Sequence, residues 1–334
     1  MTRSLFIGSL AGAASALLVL TAASGPLGFL LGYLAPMPLF FVGLTHGVPA
    51  VAMAGAVGAG INAAYGLLTG GVYLVVFAAP VVVLVRQALL ARPAEEAGPE
   101  AGIGNAEISG GLEWYPAGRL LTWLVGWALG LLVLALLVTG GEGGLTGALE
   151  PLLEQFLSAM PPEALQAQGQ GLGTEPGDLA AVAKRLAMLM PAVFGVSWLV
   201  MMVVNGTLAQ GLAGMVKQNR RPSPQYGALT LPRFLVISLA AASVAGFVLS
   251  GEARVVAWTV AAILLVPYFM QGLAVVHAMA AKSAATGLIL AAFYAALVVA
   301  GALVGGLVLI LGLIEEWAGF RRRLAGAGAS RENE

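Results

Sequence analysis

Cysteine is absent from the 334 residues, and charged side chains are scarce. Without a thiol there is no disulfide, no thiolate metal site, no iron–sulfur cluster and no cysteine nucleophile. Charged residues make up 10% of the chain, where a water-soluble domain carries about 25%. The 16 basic and 16 acidic side chains cannot cover a water-facing surface on a chain of this length. Their balance also provides no basic field for nucleic acid. Aspartate occurs once, as Asp178, so a paired-aspartate intramembrane protease cannot be built. HExxH, Gly-x-Ser-x-Gly, the phosphate-binding P-loop and CxxC are all missing. The chain therefore reads as a non-enzyme without a cofactor.

What stands in place of charge is apolar. Hydrophobic residues reach 59% and mean hydropathy is +0.92, so lipid is the expected solvent. From Ser4 to Val85 no Asp, Glu, Lys or Arg occurs, and at ~20 residues per crossing that stretch holds about four passes. Breaks at Ser24-Gly25-Pro26, His46-Gly47-Val48-Pro49 and Gly70-Gly71 place spans near 4–23, 26–45, 48–68 and 71–91. The opening also resembles a signal peptide, with Ala22-Ala23-Ser24 as a mock cleavage site. The apolar sequence continues well past it, which favours an uncleaved first span. Pro36 and Pro38 interrupt the second span. Two prolines so close remove backbone donors, which hydrocarbon does not tolerate, so a broken or re-entrant helix buried in protein is predicted near 26–45.

Residues 92–118 read as a polar, exposed linker. Further spans are expected near 119–139, 186–214, 234–250 and 255–280. The last apolar stretch, 284–314, is either one tilted helix or two short arms. In the polar insert 140–183, Leu145, Leu149, Leu152, Leu153, Phe156 and Leu157 recur at helical spacing opposite Glu150 and Glu154. That pattern predicts an amphipathic surface helix near 145–158, ended by Pro161-Pro162. The fold class is thus all-α, a polytopic transmembrane helical bundle of about 8–10 spans. It divides into an N-terminal membrane bundle (1–91), the linker (92–118), a C-terminal membrane bundle (119–314) and a polar tail (315–334).

Lys217, Arg220, Arg221 and Arg233 lie in a link without acids, which the positive-inside rule places in the cytoplasm. The amino terminus and the 92–118 linker then fall on the same side, and the acidic 140–183 insert outside. Lys184 and Arg185 dissent. The expected location is the inner membrane. Trp114-Tyr115 beside Arg119, and Trp317 beside Arg321-Arg322-Arg323, are interfacial anchors.

No Asp, Glu, Lys or Arg falls centrally in a span, which disfavours a carboxylate proton relay. The polar groups left are neutral. Tyr33 beside the proline break, Asn62, Asn205, Tyr268 and Gln271 are the candidate substrate-binding residues. Tyr65, Thr207 and Gln210 lie near them in sequence. Each has a bland alternative as an interhelical hydrogen-bonding group. His46 and His277, on separate helices without a carboxylate beside them, fall short of a metal site. Gly8, Gly12 and Ala16 repeat every fourth residue, as do Gly28 and Gly32, Ala54 and Gly58, Gly126 and Gly130, and Gly301 and Gly305. The first stripe is a candidate docking face for a transmembrane partner, or else a packing face within the chain.

Several segments resemble a family of uncharacterised bacterial multi-pass proteins, the YybS-like domain of unknown function. They are Leu27-Gly28-Phe29-Leu30-Leu31-Gly32-Tyr33-Leu34-Ala35-Pro36-Met37-Pro38, Trp114-Tyr115-Pro116-Ala117-Gly118-Arg119, Leu231-Pro232-Arg233 and Gln271-Gly272-Leu273-Ala274-Val275-Val276-His277. Gly312-Leu313-Ile314-Glu315-Glu316-Trp317 with Phe320-Arg321-Arg322 resembles the family's closing motif, though an Asp is expected where Glu315 stands and a second acid near Gly319. The family is similar, remotely, to the substrate-binding membrane subunits of energy-coupling-factor vitamin transporters. That similarity implies a small molecule bound near the outer face, a first-helix stripe docking a transmembrane partner, and a separate ATPase. Small-solute binding or transport is accordingly the leading expectation. A non-transporting scaffold in a membrane or envelope complex is the alternative.

Overall fold

The computed structural model describes residues 2–22, 24–94, 107–109, 111–141, 143–161, 171, 178–224, 229–321 and 323. The centre of the 92–118 linker, the sequence from Pro162 to Gly177 apart from residue 171, Arg322 and the tail from Leu324 onward lie outside these. Among the described residues, seven helices are long and apolar enough to cross a membrane, and three apolar helices are shorter. The chain is an all-α polytopic protein, as the run of apolar segments predicts. It forms two compact units.

The first unit comprises residues 1–124, 200–232 and 266–334. It begins with α1 (Thr2–Thr21), α2 (Pro26–Tyr33), α3 (Pro36–His46) and α4 (Val48–Ala63). Helix α5 (Leu67–Tyr73) runs through a π turn at Leu74–Ala78 into α6 (Ala79–Ala88). That wider turn immediately precedes Pro80, whose ring and missing N–H would otherwise disrupt the regular ladder. The seam between α1 and α4 is closed by small residues. A Cβ on Gly8 would sit 2.4 Å from the Ala50 carbonyl oxygen, and one on Gly12 2.2 Å from that of Ala54. Only glycine lets the two backbones meet.

The proline break falls where the sequence puts it. Because Pro36 and Pro38 donate nothing, Ala35 N–H turns to the Gly32 carbonyl (3.1 Å) and Met37 N–H to that of Leu34 (3.0 Å). These tight three-residue bonds take up the carbonyls the prolines leave. The helix is kinked between α2 and α3 rather than unwound.

The linker departs from the expected loop. Around its undescribed centre, β1 (Ala91–Pro93), β3 (Leu112–Trp114) and β2 (Glu107–Ser109) pair antiparallel in that order. Arg92 faces Glu113 across β1 and β3 at 2.5 Å. Three-residue strands carry too little alternation to announce themselves in a sequence.

Helix α7 (Ala117–Val138) contributes its first residues to this unit, and α9 (Leu179–Met215) its last. The end of α11 (Gly251–Ala280) is followed by α12 (Thr286–Val299) and α13 (Gly301–Ala318). The final apolar stretch is therefore two helices, parted at Ala300, whose φ −119°, ψ 44° is not helical. Gly272 and Gly312 bring α11 and α13 together: a Cβ on Gly312 would lie 1.8 Å from the Tyr268 carbonyl oxygen.

The second unit comprises residues 125–199 and 233–265. It holds the rest of α7, α8 (Gly144–Ser158), the start of α9, α10 (Phe234–Val248) and the start of α11. Helix α8 is the amphipathic element read from the sequence. Its Leu157 is buried with Val182, Ala183 and Leu186 of α9, whereas Leu152 and Phe156 are exposed. Glu252 fixes the start of α8, accepting the Leu145 N–H (2.9 Å) and the Thr146 hydroxyl (2.7 Å). It serves as an N-cap supplied from another helix.

Candidate functional site

The chain turn after α9 builds the site. Lys217 adopts a left-handed conformation (φ 54°), and the Lys217 and Gln218 amides donate back to Gly214 and Ala213. This closes the helix and reverses the chain. The returning strand lies across the ends of α3 and α6. Arg220 donates its backbone N–H to Leu44 O (3.2 Å) and its Nε to Thr45 O (3.0 Å). Arg221 donates Nη1 to the carbonyl of Ala88, the last residue of α6 (3.2 Å). Carbonyls left over at a helix C-terminus, and its partial negative charge, favour such cations. Gln210 and Asn219 hold the turn by donating to Arg221 O at 2.9 and 2.8 Å.

Beside this turn lies a cavity of ≈ 360 Å³, all of whose lining residues belong to the first unit. Phe40, Leu84, Leu120, Leu124, Met202 and Met270 supply apolar wall, drawn from α3, α6, α7, α9 and α11. Thr207, Gln210, Arg221 and Ser223 supply its polar part. Among the described residues Arg221 is the one charged side chain in the lining, and it is 2% exposed. Gln210 also reaches Ser223 Oγ (3.4 Å), so the polar groups form one connected corner. The size lies at the low end of ~300–1,000 Å³ for small-molecule sites, and the mixture of apolar wall and few polar groups is typical of them.

Residues 155–315 match the sequence model of a family described as "Predicted membrane protein (DUF2232)". This chain is similar to that uncharacterised family over just under half its length. No curated protein and no solved structure matches it. The matched stretch contains Gln210, Arg221 and Ser223, and excludes the walls contributed by α3 and α6.

The five residues singled out in the sequence lie elsewhere, and none lines the cavity. Asn205 and Tyr33 do meet, through the backbone: Asn205 Nδ2 donates to Tyr33 O and to Met201 O, both at 2.8 Å. Tyr33 O is the carbonyl that Met37 would reach in an unbroken helix, so Asn205 satisfies the kink. Ser15 Oγ donates to Ala35 O (2.7 Å) just beyond it and accepts from Tyr73 (2.8 Å). Asn62 donates to Gly58 O within its own helix (2.9 Å). Tyr268 and Gln271 share the α11–α13 seam, where Gln271 Nε2 donates to Gly312 O (3.0 Å). Tyr268 Oη and Gln271 Oε1 are buried without a hydrogen-bond partner among the described residues.

Gly8, Gly12 and Ala16 are buried, and α4 occupies the face at Gly8 and Gly12. A partner helix there would have to displace α4. Cβ atoms on Gly126, Gly130 and Gly301 would meet open space instead. His46 Nδ1 contacts Thr45 Oγ1 (2.8 Å), and His277 lies against Leu273 O and Tyr294. Sequence reasoning did name Gln210 and Thr207 as polar groups, and Arg221 as a charge that orients the chain. It carried no signal that these converge, because their walls come from five separate helices.

Proposed function

We propose that this multi-pass membrane protein binds a small molecule in the Arg221 cavity. The observation that supports this reading is an apolar chamber with one connected polar corner, built by residues far apart in sequence. The cavity lies level with the ends of α3, α6 and α9, at the side carrying the Lys217–Arg233 link. The positive-inside rule assigns that side to the cytoplasm, which also puts the amino terminus inside and suits an inner-membrane location. A pocket there differs from what kinship with vitamin-transporter subunits implies, which is binding near the outer face. The YybS-like resemblance is compatible with either side. If ATP drives transport of the molecule, a separate partner must supply the ATPase, because the chain carries no P-loop. The scaffold alternative draws no support from the first-helix stripe, which α4 already covers.

The test is a cavity-filling substitution. Gly206 lines the cavity, and a Cβ there would touch the Phe40 ring at 3.6 Å, so Gly206→Leu fills space without striking backbone. Wild-type protein released from membranes in a neutral detergent should carry a small molecule visible by native mass spectrometry. Gly206→Leu should elute as the same folded species without it. Equal retention by both proteins would remove the cavity from consideration.

A further inference from the structure

We propose that the ligand of this cavity is a single-chain amphiphile with an acidic head, a phosphate or a carboxylate. The assignment rests on the cavity being a binding site and adds the chemistry of its occupant. Arg221 sets the sign. A guanidinium does not lose its proton in a protein and presents five donors in a planar fork suited to phosphate or carboxylate. It stands in the wall of a chamber whose described lining contains no acidic side chain. Low-dielectric surroundings strengthen its pull on an anion well beyond the value in water. The Ser223 hydroxyl, which accepts from Gln210, can rotate its own proton toward a ligand as a further donor. Gln210 positions this corner by holding Arg221 O and Ser223 Oγ.

The apolar walls select the tail. Phe40, Leu120, Leu124 and Met202 offer nothing to a second charge and make a small polar anion costly to desolvate. An inorganic ion would gain the corner and waste the chamber, while a neutral hydrocarbon would fill the chamber and leave the corner unused. A volume of ≈ 360 Å³ suits one chain and a compact head rather than a two-chain lipid. The height of the site fits as well. Helix ends mark the depth where lipid headgroups meet acyl chains, so such a molecule enters with its head already at the level of Arg221.

The experiment uses the full chain in a neutral maltoside detergent, with thermal stability read while probes are titrated. Dodecyl phosphate and laurate should both stabilise the wild type. Inorganic phosphate, dodecanol and zwitterionic dodecylphosphocholine should not. Arg221→Gln should weaken the apparent Kd for dodecyl phosphate about 10–100-fold, and Ser223→Ala by a few-fold. Because Arg221 also caps α6, Arg221→Lys serves as the folded control that keeps the charge and recovers part of the affinity. An equal shift from dodecanol, abolished by Gly206→Leu, would overturn the acidic-head assignment and leave the cavity as a site for apolar molecules. Stabilisation by inorganic phosphate alone would overturn the tail. Shifts indifferent to Gly206→Leu would overturn the cavity itself.

Discussion

Replacing Glu315 by alanine should cost this protein about 3–5 kcal/mol, because that carboxylate ties off the end of α13. Its side chain is 4% exposed, and its partner Arg321 is 10% exposed, with Nε and Oε1 2.8 Å apart. Glu315 also accepts the backbone N–H of Phe320 at 2.7 Å and of Arg321 at 3.3 Å. Arg321 reaches on to Leu229 O at 2.6 Å. Glu315→Ala thus strips two amides of their acceptor and takes from the buried Arg321 guanidinium the carboxylate it pairs with. At about 2–4 °C per kcal/mol, the slope of domains of about 150–250 residues, the midpoint should fall by roughly 6–20 °C. Arg321→Ala should fall by about half as much, since the carboxylate keeps two charge-assisted bonds from the backbone. The two losses are coupled, so the double variant should lose less than their sum. The assay is thermal unfolding in neutral detergent followed by tryptophan fluorescence. A shift below about 2 °C for Glu315→Ala, or strict additivity, would refute the claim that one buried pair locks this terminus.

The α1–α4 seam predicts a contrast between glycines. Gly12→Ala should lower the midpoint, at a cost of about 1–3 kcal/mol, because the new methyl meets the Ala54 carbonyl. Gly130→Ala, with open space around it, should leave the midpoint unchanged or slightly raised, and equal behaviour of the two would refute the seam. Removing the borrowed cap by Glu252→Ala should loosen α8 by about 1–2 kcal/mol. Hydrogen exchange over 144–150 should then speed about 5–30-fold. Unchanged exchange would mean that packing on Val182 and Leu186 holds the helix alone.

Much of the fold was legible because lipid imposes a simple rule on sequence. Apolar length set most of the spans, prolines placed the kink at Leu34–Ala35, and a leucine stripe drew α8. Two of the expected spans came out short, as the 16-residue α4 and the 15-residue α10, because Gly and Pro shorten helices more than hydropathy reveals. The site was less legible, for a geometric reason. Asn205 and Gln210 are five residues apart on α9, which turns them about 140° from each other around the axis. One faces the kink and the other faces the cavity, and hydropathy treats them alike. Arg221 looked like a charge in a loop because nothing in its neighbourhood says that the loop folds back. Asn205 and Gln271 are polar in apolar spans for a backbone reason: each feeds a carbonyl on a neighbouring helix.

Helix α9 carries one more consequence. Its 37 residues extend about 55 Å, while the oily layer is about 30 Å thick. Counted back from Gln210 along the bilayer normal, some twenty residues exhaust that layer near Met190. The eleven that precede, with Lys184 and Arg185 among them, exceed what one straight crossing holds. Pro191 falls beside that count and withholds the amide that the Ala187 carbonyl would take in a regular helix.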